Sequence, residues 1–186
     1  MGVLLGFTPF IVFALLTSVS VSLALWAAFA AAFVITMRDF VQSPTLRVLD
    51  AGSMALFGLL WLYDGFIQPG LSIQAVRLVV DGGLFAIAIA SILIRTPFTL
   101  QYAKDEAPEE LWTSPGFIRA NYVITGVWAA AFAVMSAADA SATFHRMLPL
   151  SLDVAAGLAT MAGAIVFTVR YPAFARADTG QLRNHA

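Results

Sequence analysis

The residues best suited to chemistry in this chain are ionisable side chains within or beside long apolar segments. They form a candidate polar cluster of Asp64, Arg77, Asp81 and Asp153. Arg77 and Asp81 are one helical turn apart, which places them on the same face of a helix. Because a charge is costly at membrane depth, the cluster suggests a pocket for an ion, a proton or a lipid headgroup. The same spacing also suits a helix-start acid neutralised by a neighbouring arginine, so both interpretations stay open.

Patterns typical of catalysis or cofactor binding are missing from the sequence. Cysteine is absent, which excludes disulfides, thiolate metal ligands and thiol nucleophiles. The two histidines, His145 and His185, do not supply a pair of haem ligands within helices. No HExxH, GxSxG or P-loop motif occurs. We therefore predict no catalytic residues, no metal-binding residues and no cofactor, and an enzyme that handles lipids is the class with the least support.

Composition indicates the environment of these residues. Hydrophobic residues make up 60% of the chain and charged residues 11%, and the mean hydropathy is +0.86. Soluble domains have about 25% charged residues, so a soluble fold of this length would lack the polar side chains to cover its surface. The formal net charge of −1 gives no basic footprint for nucleic acid. The composition predicts a membrane protein.

The apolar segments predict an all-α fold: a polytopic bundle of six transmembrane helices in three hairpins. Four spans are clear from length, at residues 49–67, 75–94, 120–138 and 149–169. Residues 3–37 would be about 52 Å long as one helix, too long for a single crossing. The polar residues from Thr17 to Ser22 are expected to split this block into a tight hairpin, and five spans are the alternative. A single domain at 1–172 and a short cytoplasmic tail at 173–186 follow from this layout.

Basic residues are distributed unevenly over the predicted loops. One side carries eight of them and the other side two: Arg38, Arg47, Arg95, Lys104, Arg119, Arg170, Arg176 and Arg183, against Arg77 and Arg146. The positive-inside rule makes the richer side cytoplasmic. The start of the chain lacks the basic region and cleavage site of a signal peptide, so we expect the first segment to be retained. The prediction is a multi-pass protein of the bacterial inner membrane with both termini in the cytoplasm.

The loop between the fourth and fifth spans contains a candidate docking loop of Glu106, Glu109, Glu110 and Trp112. Residues 105–112 are expected to form a short helix lying on the membrane. Pro108 suits its first turn, and the acids complement the positive end of its dipole. A surface for a basic partner is one interpretation, and a solvated connector is the other.

Small residues recur at four-residue spacing in three predicted spans. The predicted faces are Gly82, Ala86 and Ala90; Gly126 and Ala130; and Ala155, Ala159 and Gly163. Small residues let helix backbones approach each other in membranes. We therefore expect close helix packing, or self-association, through these faces.

Several apolar and aromatic segments occur in a particular order. They are Phe7–Phe13 before a very short hairpin, Leu56–Trp61 in the third span, Pro97, the segment Glu106–Trp112, and a fifth span with Asn121, Trp128 and Phe132. This layout distantly resembles the bacterial intracellular septation protein A family, although the distances from Trp112 to Asn121 and Trp128 are longer than in that family.

The resemblance implies a polytopic inner-membrane protein tied to envelope synthesis or cell division, with no catalytic residues to carry over. Such a protein would act through membrane lipids, protein partners or a second copy of itself. A small transporter or channel using Asp64, Asp81 and Asp153 is the alternative.

Overall fold

The regular secondary structure of the described residues is entirely helical. The computed structural model describes residues 5–42, 45–145 and 155–171, and these contain no strand. In chain order the helices are α1 (Thr8–Leu16), α2 (Val21–Gln42), α3 (Val48–Phe66), α4 (Ile73–Leu93), α5 (Phe98–Glu106), α6 (Pro115–Ala140) and α7 (Ala155–Tyr171), with a short 3-10 turn at Glu109–Leu111. The predicted all-α class is confirmed.

Among the described residues, three helices are long and apolar enough to cross a membrane: α2, α4 and α6 with its continuation to Phe144. Helix α3 has 19 residues, but Asp50 and Asp64 lower its hydropathy. Helix α1 has 9 residues, about 14 Å at the usual rise per residue, and is too short to cross alone. The helices are compatible with a membrane protein, while the count of six spans stays a prediction.

The predicted break in the first apolar block is present. Helix α1 ends at Leu16 and α2 begins at Val21. The Thr17 hydroxyl donates to the Phe13 carbonyl, and the N–H groups of Val19 and Ser20 donate to the Leu16 carbonyl. The hydroxyl-rich turn thus supplies hydrogen bonds where the helix stops, and α1 packs back against α2.

Two contacts define one end of the bundle, which we call the Arg77 end. The hydroxyl of Ser22, at the start of α2, donates to the carboxylate of Asp64, near the end of α3. Arg77, near the start of α4, forms an ion pair with Asp139, near the end of α6, at 3.3 Å. Helix starts and helix ends therefore meet, as an up-and-down arrangement requires.

The opposite end, which we call the Arg47 end, joins other segments. Arg47, which precedes α3, contacts Asp39 near the end of α2 and Asp105 in α5.

Helix α7 runs antiparallel to α6. The Trp128 indole N–H donates to the Thr168 hydroxyl at 3.0 Å, and Gly157 lies near Met135.

The core is aromatic and joins α1, α5 and α6. Phe7 stacks on Trp128 with ring centroids 4.6 Å apart and meets Phe98 edge-on at 6.1 Å. Phe57 of α3 and Phe132 of α6 are fully buried in the same cluster. Such rings supply the dispersion contacts that hold helices together when no water is expelled.

Most of the predicted small-residue faces do not mediate packing within the described part of the chain. Gly82 is the exception, since a methyl group added there would lie 3.9 Å from Ser136 of α6. Ala86, Ala90 and Ala130 are exposed, and so are Ala155, Ala159 and Gly163. A methyl group added at Gly126 or Gly163 would meet nothing within 4 Å.

The close approaches occur at other glycines. A methyl group at Gly52 would lie 2.8 Å from Ile87, and one at Gly83 would lie 2.7 Å from Leu56. These contacts bring α3 and α4 together. The spacing rule selected the wrong faces because alanine is common on all sides of these helices.

Candidate functional site

A dense polar cluster lies at the Arg47 end, and it was not predicted as a set. We call it the Arg47 network: Asp39, Arg47, Asp50, Tyr102 and Asp105. The Arg47 guanidinium forms ion pairs with Asp39 and with Asp105, the latter at 2.6 Å, and its Nη1 lies 3.8 Å from Oδ2 of Asp50. One cation therefore serves three carboxylates that come from α2, α3 and α5.

Tyr102 joins α5 to the start of α3 within this network. Its hydroxyl donates to Oδ1 of Asp50 at 2.7 Å, and the side chains of both residues are almost fully buried. The Arg47 guanidinium lies over the Tyr102 ring, 4.8 Å from its centroid. Burial, and after it the Asp50 carboxylate, raise the pKa of Tyr102 far above its ordinary value. The phenol therefore stays protonated and keeps donating.

The chemistry of the network indicates a clamp. Oδ2 of Asp50 is buried and has no hydrogen-bond partner among the residues that the structure describes. In those same stretches of chain, no group of three or more His, Cys, Asp or Glu side chains is placed to hold a metal ion. The neutral phenol of Tyr102 and the shared guanidinium of Arg47 both contact carboxylates at the ends of helices. Together these contacts tie α2, α3 and α5 to one another.

Helix α5 is held from its other side as well. The Thr99 hydroxyl donates to the Asn121 carbonyl at 2.9 Å and lies 2.8 Å from the Thr125 hydroxyl. The Ser91 hydroxyl accepts from the Phe98 N–H at 3.1 Å. Sequence analysis missed these links because the partners are separated along the chain. The Asn121 amide donates within its own helix, to Phe117.

The backbone before α5 has a left-handed residue. Arg95, one residue after the C-cap of α4, has φ 61°. The Thr96 N–H donates to the Ser91 carbonyl at 2.9 Å, the long hydrogen bond of a Schellman ending. Glycine is the usual residue at this position because side chains strain a left-handed backbone.

The candidate docking loop differs from the predicted surface helix. Helix α5 begins at Phe98 rather than at 105, and Pro108 precedes a 3-10 turn at Glu109–Leu111. Pro97 starts α5 earlier than expected, and one face of α5 is buried by Phe98, Thr99, Leu100 and Tyr102. The buried face explains the error: the helix packs into the bundle and leaves only the following turn outside.

Trp112 sets the shape of this turn. Its indole N–H donates to the carbonyls of Lys104 and Ala107, at 3.1 and 3.0 Å, and the Lys104 ammonium lies 5.5 Å from the ring centroid. The predicted docking residue Trp112 therefore serves as an internal support. The acids of the predicted loop, Glu106, Glu109 and Glu110, are exposed, and Leu111 beside them is 46% exposed.

Asp64 of the predicted polar cluster has its partners outside that cluster. Asp64 is buried and accepts hydrogen bonds from the Ser22 hydroxyl and from the N–H groups of Gly70 and Leu71, at 3.2 and 3.3 Å. It therefore anchors the turn that follows α3.

Arg77 forms an ion pair with Asp139 of α6, a contact that the sequence did not suggest. Asp81 is buried in α4. Asp153 lies outside the described residues. The contacts of Asp64 and Arg77 give these two a structural role, and the idea of a pocket shared by Asp64, Asp81 and Asp153 stays an untested prediction.

In comparisons with known proteins, the chain matches no family model, no curated protein and no solved structure.

Proposed function

We propose that this chain is a non-enzymatic, multi-pass protein of the bacterial inner membrane that acts through partners, in envelope synthesis or cell division. Three long apolar helices support the membrane location, and the resemblance in layout to the septation protein A family motivates the process. Six spans would require α3, α7 and the short N-terminal segment to cross as well. The Arg47 end is the cytoplasmic end in this proposal, because most basic residues fall on that side.

The observation that carries the proposal is the exposed acidic turn at the Arg47 end. Glu109 and Glu110 project beside exposed Leu111 on a turn that the Trp112 indole holds in place. A surface fixed before binding loses less conformational entropy when a partner arrives. Its chemistry fits a basic segment of a membrane partner with an apolar residue near its charges.

A crosslinking experiment in native membranes tests this proposal. A photoreactive amino acid at position 113, next to the turn, should capture a discrete partner. The double variant Glu109→Gln/Glu110→Gln should lose most of that product, and the loss should resemble the effect of high salt on the native chain. Asp178→Asn, in the predicted tail, is the control and should retain the product. Equal capture by all three proteins would contradict the proposed docking surface.

Orientation has a separate test because the chain contains no native cysteine. Glu109→Cys should resist an impermeant thiol reagent in intact cells and react after the membrane is opened. Labelling from outside intact cells would reverse the orientation.

A further inference from the structure

An apolar groove lies between α3 and α4. The two helices touch on the side nearer the Arg47 end, where Gly52 meets Ile87 and Gly83 meets Leu56. Toward the Arg77 end they leave a groove of about 440 Å³. Its walls include Leu59, Leu60 and Tyr63 from α3 and Ala75, Val76 and Val79 from α4.

The groove opens sideways. Its floor is buried, since Leu60 and Val76 are 8% and 1% exposed, while the rim residues Leu59 and Val79 are 68% and 46% exposed. If the chain crosses a membrane as proposed, the medium at this rim is lipid hydrocarbon.

The lining selects an apolar occupant. Seven of the eight lining residues have aliphatic side chains, and Tyr63 supplies the remaining one. The Tyr63 hydroxyl already donates to the Gln68 side chain at 3.1 Å. A bound water needs two or more polar partners, and these walls do not provide them.

The size of the groove argues against a helix as occupant. Its volume is that of a small-ligand site, whereas a helix with side chains is about 10 Å across. A stable interface between two copies would bury about 800 Å² on each partner, far more than these walls offer.

The wall of the groove at the Arg77 end is held in place by hydrogen bonds. Leu71, which lines the groove, belongs to the turn whose Gly70 and Leu71 N–H groups are bound by Asp64. The groove is therefore shaped by the protein before any ligand arrives, which lowers the entropy cost of holding a flexible chain.

We propose that this groove is a binding site for one acyl chain of a membrane phospholipid, held longer than the lipids around the other helices. The proposal rests on the membrane location proposed above and names a lipid as a partner of the same protein.

Lipid retention through purification tests the site. The full chain is extracted from native membranes in mild detergent, and its bound phospholipid is counted by native mass spectrometry. We expect phospholipid and protein in a one-to-one ratio. Ala75→Trp, which fills the groove, should lower retention roughly tenfold, corresponding to about 1.4 kcal/mol. The matched control Val134→Trp, on an exposed position of α6, should retain lipid as the native chain does.

A second measurement keeps the test decisive if Ala75→Trp does not fold. The native chain is placed in phosphatidylethanolamine and phosphatidylglycerol vesicles that contain a phospholipid with a diazirine on one acyl chain. Labelling should concentrate on Leu59–Tyr63 and Ala75–Val79 rather than on the exposed faces of α6 and α7. Uniform labelling, or crosslinks between copies through the groove, would overturn the proposal.

The two proposals fail in different ways. Removal of the chain from membranes by alkaline carbonate would contradict the membrane location itself. A chain that resists carbonate but retains lipid equally in the native, Ala75→Trp and Val134→Trp forms would overturn only the acyl-chain site.

Discussion

The two ends of the bundle provide partners for their carboxylates in different ways. At the Arg47 end, the buried Asp50, the partly buried Asp39 and the exposed Asp105 share one guanidinium, which joins three different helices. At the Arg77 end, Asp64 is satisfied by a hydroxyl and two backbone N–H groups, and Asp139 is paired with Arg77. The Arg47 end depends on a single cation, whereas the Arg77 end uses several separate donors.

The two ends should therefore differ in how much stability a single substitution removes. Loss of a shared cation leaves several negative charges facing one another, and unpaired buried charge is among the largest costs known for single substitutions. Loss of one acceptor at the Arg77 end leaves neutral donors without a partner, which costs less for each group. We therefore expect the Arg47 end to be the more sensitive.

The largest effect should come from Arg47→Leu. It removes the cation but keeps apolar contact with Tyr102, and we expect a loss of roughly 3 kcal/mol in the free energy of unfolding. Tryptophan fluorescence during thermal unfolding in detergent measures it. Arg38→Leu removes the same charge from an exposed position and should change the midpoint little. Equal midpoints for the two variants would contradict the clamp.

Asp64→Ala tests the Arg77 end and should have the next largest effect. The Ser22 hydroxyl and the N–H groups of Gly70 and Leu71 lose their acceptor, at a cost of about 2 kcal/mol. Asp64→Asn retains one acceptor oxygen and should recover part of the loss in the same thermal assay. A greater loss here than for Arg47→Leu would reverse the ranking of the two ends.

Tyr102→Phe isolates one hydrogen bond of the Arg47 network. It leaves the Asp50 carboxylate without its phenol donor, and we expect a loss of about 1.5 kcal/mol. Because the raised pKa keeps this phenol protonated, absorbance at 295 nm should show one of the four tyrosines resisting ionisation well above pH 10.

In Tyr102→Phe the resistant component should disappear, whereas the control Tyr63→Phe, in which the changed hydroxyl lies at an exposed position, should keep it. Titration of all four tyrosines near pH 10 in the folded native chain would show that Tyr102 is not held in this way.

The smallest expected effects come from substitutions at two residues with positive φ, one at each end of the bundle. Arg95, at the Arg47 end, and Gly70, at the Arg77 end, both have positive φ, at 61° and 82°. Arg95→Gly should stabilise the chain by about 0.5 kcal/mol by relieving strain, and Gly70→Ala should destabilise it by about 1 kcal/mol. Changes of the same sign in thermal midpoint would mean that backbone strain does not decide either site.

The sequence predicts local features of this fold well and distant pairings poorly. Helix existence and the hydroxyl-rich break after α1 follow from composition and from the spacing of apolar residues. The Arg77 pairing with Asp139 does not, because four-residue spacing compares residues only within one helix. The hydrogen bond from Tyr102 to Asp50 does not follow either, because the two residues are 52 positions apart in the sequence.

The reach of Arg47 has a consequence for biosynthesis. Its contact with Asp39 spans 8 residues, whereas its contact with Asp105 spans 58. Because Arg47 precedes α3, its first partner is available as soon as α2 and Arg47 itself have left the ribosome, and the second only after α4 and α5 have been made. The Arg47 network can therefore form in two steps during synthesis, and Asp105 completes it.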